Sequence, residues 1–321
     1  MEFGRVSGSE LSKIDFTLPA EPANNNKWLS GKPGTNAKVY LGCAKWGYPE
    51  WLGKLYPPKT REKNYLDQYV LHYNSVEVNA THYKIIGEKG IQKWADKAKG
   101  KDFLFCPKMY EGITHYGKLD KHQFLTAEFI RGIRGFGKHL GPTLIQFNER
   151  FSPKRKEELF DFLSSLPDDL KFVLELRHPL WFSKPDITEA LFEKLETLKI
   201  GAVITDTAGR RDLLHMRLTS SKVFIRFTGN SLHPTDHTRC DDWVTRIKYW
   251  LEKGIKEIYF FMHMHDEGTS PELTVYLVDQ LNSKCGLNLI RPIISTGPIV
   301  LPKKRTYGLK FPPLEGRVRP K

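Results

Sequence analysis

Cysteine is scarce in this chain: Cys43, Cys106, Cys240 and Cys285 lie far apart, with no CxxC pair. That spacing argues against both a disulfide framework and a zinc ribbon. Cys43 and Cys106 fall in predicted strands and read as buried reduced thiols. Long apolar runs are also missing. None approaches the roughly 18 to 20 residues a membrane span needs, and the opening MEFGRVSGSELSKIDF lacks the basic-then-apolar pattern of a secretory signal. A cytoplasmic protein with no membrane partner is therefore expected. Acidic residues are in the minority, 37 against 50 Lys and Arg, and the net charge of +13 suggests an anionic partner. Residues 302–321 hold seven Lys or Arg against one Glu, so nearly half of the excess is tail. Such a tail tethers nucleic acid through phosphate charge, or simply solubilises the chain end.

What the sequence does have is a series of short apolar strands, each ending in a polar side chain. They are VYLGCAKWGY, SVEVNATHY, FLFCPK, TLIQF, FVLELRHPLW, AVITD, VFIRFTG and IYFFMHMHD. Helical spacing separates nearly all of them, which argues for repeated βα units around a parallel sheet. Eight such units make an α/β chain with a single (β/α)8 TIM-barrel-like domain. The expected limits are residues 37–287, with an N-terminal extension over 1–36 and a C-terminal extension with basic tail over 288–321.

The helices fix the strand ends. Ser152-Pro153 opens the fourth, Asp186 to Glu189 reads as a capping-box-like start of the fifth, Gly254 stops the seventh, and Ser270-Pro271 begins the eighth, which ends near Gly286. The sixth connection, TAGRRDLLHMRLTSS, offers two turns at most over 211–218, so an incomplete sixth helix is expected. The apolar LNLIRPIISTGPIV is expected to dock along the barrel wall.

In a barrel of this kind the active site is built at the C-terminal strand ends. Glu175, Arg177 and His178 form the strongest local constellation, a carboxylate, a guanidinium and an imidazole within four residues. Glu77 and Asn79 share a strand face, and Glu77 is either catalytic or ion-paired with Lys108 or Arg226. Asp206 is a catalytic candidate or a helix cap. Lys45, Lys108, Arg177 and Arg226 suit an anion; Gln146, Asn79, His115 and His263 suit substrate contacts. Trp46 and Tyr48 are candidates for stacking on a base or sugar. Gly229, followed by Asn230, would let backbone N–H groups approach an oxyanion, by analogy with phosphate grips in other barrels. Glu77, Glu175, Asp206, His263 and His265 are the mixed set that would suit a divalent metal cofactor, although an H-x-H pair alone is weak evidence.

The segments GCAKWGYPEWLGKLYPP, NSVEVNATHYKI, PKMYEGITH, LGPTLIQFNERF, FVLELRHPLWF, VFIRFTGN and FFMHMHDEGTSPEL follow in order the motifs of the YecE-like family, domain of unknown function 72, which this chain resembles over about 37–285. The resemblance implies a TIM-barrel-like fold with a polar cleft at the strand C-termini, and no established reaction. Two segments depart from the common wording. FIRFTGN replaces an R-x-H-G form, so Thr228 stands where a His is frequent, and FFMHMHD replaces F-N-N-D.

Three functions fit these residues. The first is an enzyme binding a phosphorylated small molecule or nucleic acid, with metal-assisted phosphoester hydrolysis as its chemistry. The second is a non-catalytic nucleic-acid-binding barrel, and the third a metal-dependent sugar isomerase or epimerase. The number of cationic strand ends favours the first.

Overall fold

The computed structural model describes residues 3–29, 31–32 and 37–295; the basic tail expected at 302–321 lies outside the described residues. All eight apolar runs are strands: β1 (Lys38–Cys43), β2 (Ser75–Val78), β3 (Leu104–Pro107), β4 (Thr143–Phe147), β5 (Phe172–Leu176), β6 (Gly201–Asp206), β7 (Lys222–Gly229) and β8 (Glu257–Met264). Their pairing is parallel throughout. Six strands form one sheet in the order β1-β8-β7-β6-β5-β4, and β2 and β3 form a second. The fold is thus α/β and barrel-like, with two seams where an ideal barrel would have continuous ladders.

Side chains bridge the first seam. Asn74 accepts from the Leu41 amide at 2.7 Å and donates to the Val39 carbonyl at 2.9 Å. The Tyr69 hydroxyl accepts from the Cys43 amide and donates to Ser75 O, tying β1 to β2. Glycine is required at 42, because a Cβ there would collide with Ser75 O. At the second seam, isolated bridges join Phe105 to Leu140 and Lys108 to Leu144. The Met109 amide also donates to Leu144 O at 2.8 Å.

The barrel interior is filled first by an apolar layer. Tyr40, Cys106, Leu144, Val173, Val203, Phe224, Tyr259 and Phe261 are all buried in one cluster. Tyr40 stacks on Tyr259 and Phe224 packs on Phe261, with ring centroids 5.0 and 4.8 Å apart. The opposite strand faces meet the helices in a larger cluster that includes Trp51, Trp181, Trp243 and Trp250.

The helix over Pro234–Glu252 is followed by Gly254 at φ 91°, and that over Ser270–Cys285 ends on Gly286 at φ 65°, both where the sequence signals them. The helix after β5 starts at Pro185 instead, with Asp186 in its first turn and Lys184 at its cap. A proline at the first helical position lacks only an N–H that would go unused, so it outcompetes the side-chain cap as a start signal.

The sixth connection contains a single 3-10 turn over Arg211–Leu213. The N-terminal segment compensates for the missing helix. Buried Asn25 donates to Met216 O and accepts from the Leu218 amide. Lys27 reaches Glu196 on one flanking helix, while Glu21 accepts from Arg246 and Trp250 on the other. Beyond the last helix, Leu287, Leu289 and Ile294 pack against the core, and the Ser295 amide donates to Lys54 O at 2.8 Å. No helix among the described residues is long and apolar enough to cross a membrane.

Candidate functional site

Side chains alternate across a strand, so the residue two beyond each apolar interior position also faces inward. That rule turns Cys106, Leu144, Val173, Val203, Phe224 and Phe261 into Lys108, Gln146, Glu175, Thr205, Arg226 and His263 one layer higher. Glu77 of β2 completes the layer. All seven are buried, with Glu77 at 0% exposure and Arg226 at 2%.

Arg226 is the hub. It makes a bidentate contact to Glu77, Nε to Oε2 at 2.8 Å and Nη2 to Oε1 at 3.0 Å, and its Nη1 donates to Glu175 Oε2 at 2.6 Å. Arg177 Nε takes the other Glu175 oxygen at 2.6 Å. Asn79 supports Glu77, donating to it at 3.0 Å and to Ala44 O at 2.7 Å. Burial alone would raise both carboxylic acids, but the guanidinium charges win. Arg226 holds Glu77 well below the usual carboxylate range, and Arg177 with Arg226 brings Glu175 down to about 2.

Lys108 is different. Its backbone is clamped, the amide donating to Thr81 Oγ1 and the carbonyl accepting from the same hydroxyl. Its side chain is 7% exposed. Among the described residues Nζ makes no hydrogen bond or ion pair. Burial, reinforced by the neighbouring Arg226 charge, pulls its ammonium down to about 7. Burial and Lys108 in turn bring His82 to about 3 and His115 to about 4, so both imidazoles are neutral at pH 7. His82 Nδ1 pairs with Met109 O and His115 Nδ1 with Thr114 Oγ1, and the two rings meet edge to face at 5.0 Å.

Other polar atoms in the layer also lack hydrogen bonds. Gln146 Nε2, Thr205 Oγ1 and both ring nitrogens of His263 are buried without a hydrogen bond, although His263 Nε2 lies 3.4 Å from Glu77 Oε2. Buried polar atoms are normally paired, so a cluster of unpaired ones needs an explanation.

Several expected site residues lie elsewhere. Asp206 is one position out of phase and faces the helices, where Arg239, Arg211 and Trp243 Nε1 hold its carboxylate. His178 caps its own turn, Nδ1 accepting from the Leu180 amide. The Asn230 amide, expected to meet an oxyanion at Gly229, already donates to Asp236 Oδ2 at 2.7 Å. Gly229 serves close packing: a Cβ there would collide with Met264 Sδ. Trp46 packs edge-on against Trp94 of an outer helix, and Tyr48 is buried against Trp51. Lys45 is exposed, its Nζ 4.4 Å above the Tyr48 ring. The expected metal set does not assemble: among the described residues no three His, Cys, Asp or Glu side chains are grouped to hold an ion. Glu77 and Glu175 are bonded to Arg226, Asp206 points away, and His265 lies beyond the layer, half-buried.

Two members escaped the sequence reading. Thr205 was findable, because strand alternation puts it, not Asp206, in phase with Arg226, its partner in the β6–β7 register. Phe3, whose ring sits 3.8 Å from the Arg177 guanidinium carbon, carried no signal.

The family described as "Protein of unknown function DUF72" matches residues 40–293. The UPF0759 protein YecE of Escherichia coli K12 is 26% identical over 261 residues, covering 76% of this chain and 92% of that protein. A DUF72 family protein from Enterococcus faecalis V583 superposes with a TM-score of 0.60 at 17% identity, over 79% of this chain and 99% of that one. Another from Thermotoga maritima MSB8 gives 0.57 at 22% identity, over 78% and 100%. These structural likenesses speak to the fold alone. The chain belongs to the DUF72 family.

Proposed function

We propose that this member of the family is an enzyme that binds a phosphorylated small molecule at the C-terminal strand ends, with Lys108 as its proton-exchanging group. One observation carries the reading. In a layer where both carboxylates already have guanidinium partners, Gln146 Nε2, Thr205 Oγ1 and the His263 ring nitrogens are buried without hydrogen bonds, His263 Nε2 lying 3.4 Å from Glu77 Oε2, and no carboxylate is bonded to the neighbouring Lys108 Nζ. An amine, an amide NH2, a hydroxyl and an imidazole all donate, and together they suit ligand oxygens carrying negative charge.

Charge supports the same reading. With Lys108 protonated, three cations, Arg177, Arg226 and Lys108, face two carboxylates. A bound anion balances the third cation and restores the proton that burial strips from Lys108. The nucleic-acid alternative drew on the tail, and the isomerase alternative on a metal set whose donors do not converge, so neither has a comparable observation behind it.

Isothermal titration with inorganic phosphate at pH 8, in two buffers of different ionisation enthalpy, tests this. Binding with uptake of up to one proton is expected, and Lys108→Met should abolish the uptake. Absence of binding by phosphate and by simple sugar phosphates would overturn the reading.

A further inference from the structure

We infer that Lys108 is a nucleophile, and that the phosphorylated ligand carries a carbonyl group with which its Nζ forms an imine. The inference rests on the anion site proposed above and names the substrate class it would take. Its geometric basis is the isolation of Nζ. Lys108 stands at an interior position just past the β3 end, the residue 7% exposed as a whole, on a backbone fixed from both sides by Thr81. No carboxylate is bonded to it. Glu77 and Glu175, the acids in its layer, are held by Arg226, with Arg177 and Asn79 taking further positions on them.

A structural lysine at such a depth would be paired with one of those acids, because an unpaired buried ammonium is costly. Diverting both acids to Arg226 leaves Lys108 with no carboxylate to fix its proton and its ammonium near 7, so above that pH a fraction of the amine keeps a free lone pair even with the anion bound, and that fraction attacks carbonyl carbon. Desolvation beside another cation is a known way to activate lysine for Schiff-base chemistry.

The step balances without any co-reactant. The Nζ lone pair attacks the carbonyl carbon, and one Nζ proton passes to the carbonyl oxygen to give a carbinolamine. The C–O bond then breaks, the oxygen takes a proton and leaves as water, and the nitrogen gives up its remaining extra proton as C=N closes.

Trapping tests it. The whole protein is incubated with dihydroxyacetone phosphate, or separately with glyceraldehyde 3-phosphate, in the presence of cyanoborohydride, which reduces an imine to a stable secondary amine. Intact mass should show one adduct per chain, peptide mapping should put it on Lys108, and inorganic phosphate should compete with it. Lys108→Met should lose that adduct while keeping the wild-type circular dichroism spectrum. Adducts spread over surface lysines, or none on Lys108 with either probe, would overturn the inference. Phosphate binding by titration separates the two failures: binding without trapping removes only the imine, and no binding removes the anion site as well.

Discussion

The barrel interior has two layers that differ by one two-residue step on strands β3 to β8, and they follow opposite rules. The lower, from Tyr40 and Cys106 round to Phe261, is apolar and packed ring on ring. The upper, from Glu77 and Lys108 round to His263, is equally buried, yet its side chains are ionisable or polar and several of their polar atoms are unpaired. The lower layer stabilises through area removed from water. Buried ion networks add little net stability, because desolvation offsets most of the Coulomb gain. The proposed anion site accounts for that contrast, with the upper layer kept for what it would bind and not for what it contributes to folding.

The largest effect separates breaking the network from deleting core. Arg226→Met leaves Glu77 and Glu175 without their shared cation and should cost about 3–5 kcal/mol in chemical denaturation. Phe261→Ala in the lower layer should cost a similar amount, about 3–5 kcal/mol, through a cavity. Acid distinguishes them. Glu175 sits near 2 in the folded protein, so its pairing contributes above the usual carboxylate value and is lost as pH falls from about 4.5 toward 2. The Arg226→Met deficit should therefore shrink over that window, and the Phe261→Ala deficit should not.

A second pair contrasts satisfied with unsatisfied polar groups. Asn25, buried and bonded at both ends of its amide, should cost about 1–3 kcal/mol when changed to Ala. Thr205→Val, which removes an unpaired hydroxyl from the upper layer, should be neutral or stabilise by up to about 1 kcal/mol. A loss of stability for Thr205→Val comparable to that for Asn25→Ala would mean the upper layer is a structural network after all.

The third signal is a slope. Lys108 titrates near 7 when folded against a usual 10.5. Above 10.5 neither state carries the proton; between 10.5 and 7 only the unfolded chain does, so stability falls as pH is lowered through that window, and below 7 the loss is complete. The slope is at most about 1.4 kcal/mol per pH unit. Unfolding measured from about pH 7 to 10 should show it in the wild type and not in Lys108→Met.

Much of this was legible in the sequence. Eight strands, the weak sixth connection and most of the inward layer follow from apolar runs and where they turn polar. Phase was the harder signal. Asp206 looks like a strand-end acid, yet alternation along AVITD carries the inward face from Val203 to Thr205, and the register against β7 agrees. His178 and Asn230 were legible as residue types but not as groups already engaged, since a carboxylate six residues on, Asp236, decides what the Asn230 amide meets. The docking of residues 3–29 over the sixth connection had no local pattern, because its contacts join positions nearly two hundred residues apart.

The most direct test replaces the charge network with an uncharged one: Glu77→Leu, Glu175→Gln and Arg226→Met together, the Glu175→Gln change keeping a carbonyl oxygen for Arg177. Denaturant unfolding should show stability unchanged or raised by up to about 4 kcal/mol, while calorimetric phosphate binding, whose donors Lys108, Gln146, Thr205 and His263 are untouched, is retained. A loss of several kcal/mol would contradict the claim that the charge network contributes little to folding, and loss of phosphate binding would contradict the assignment of the anion to those donors.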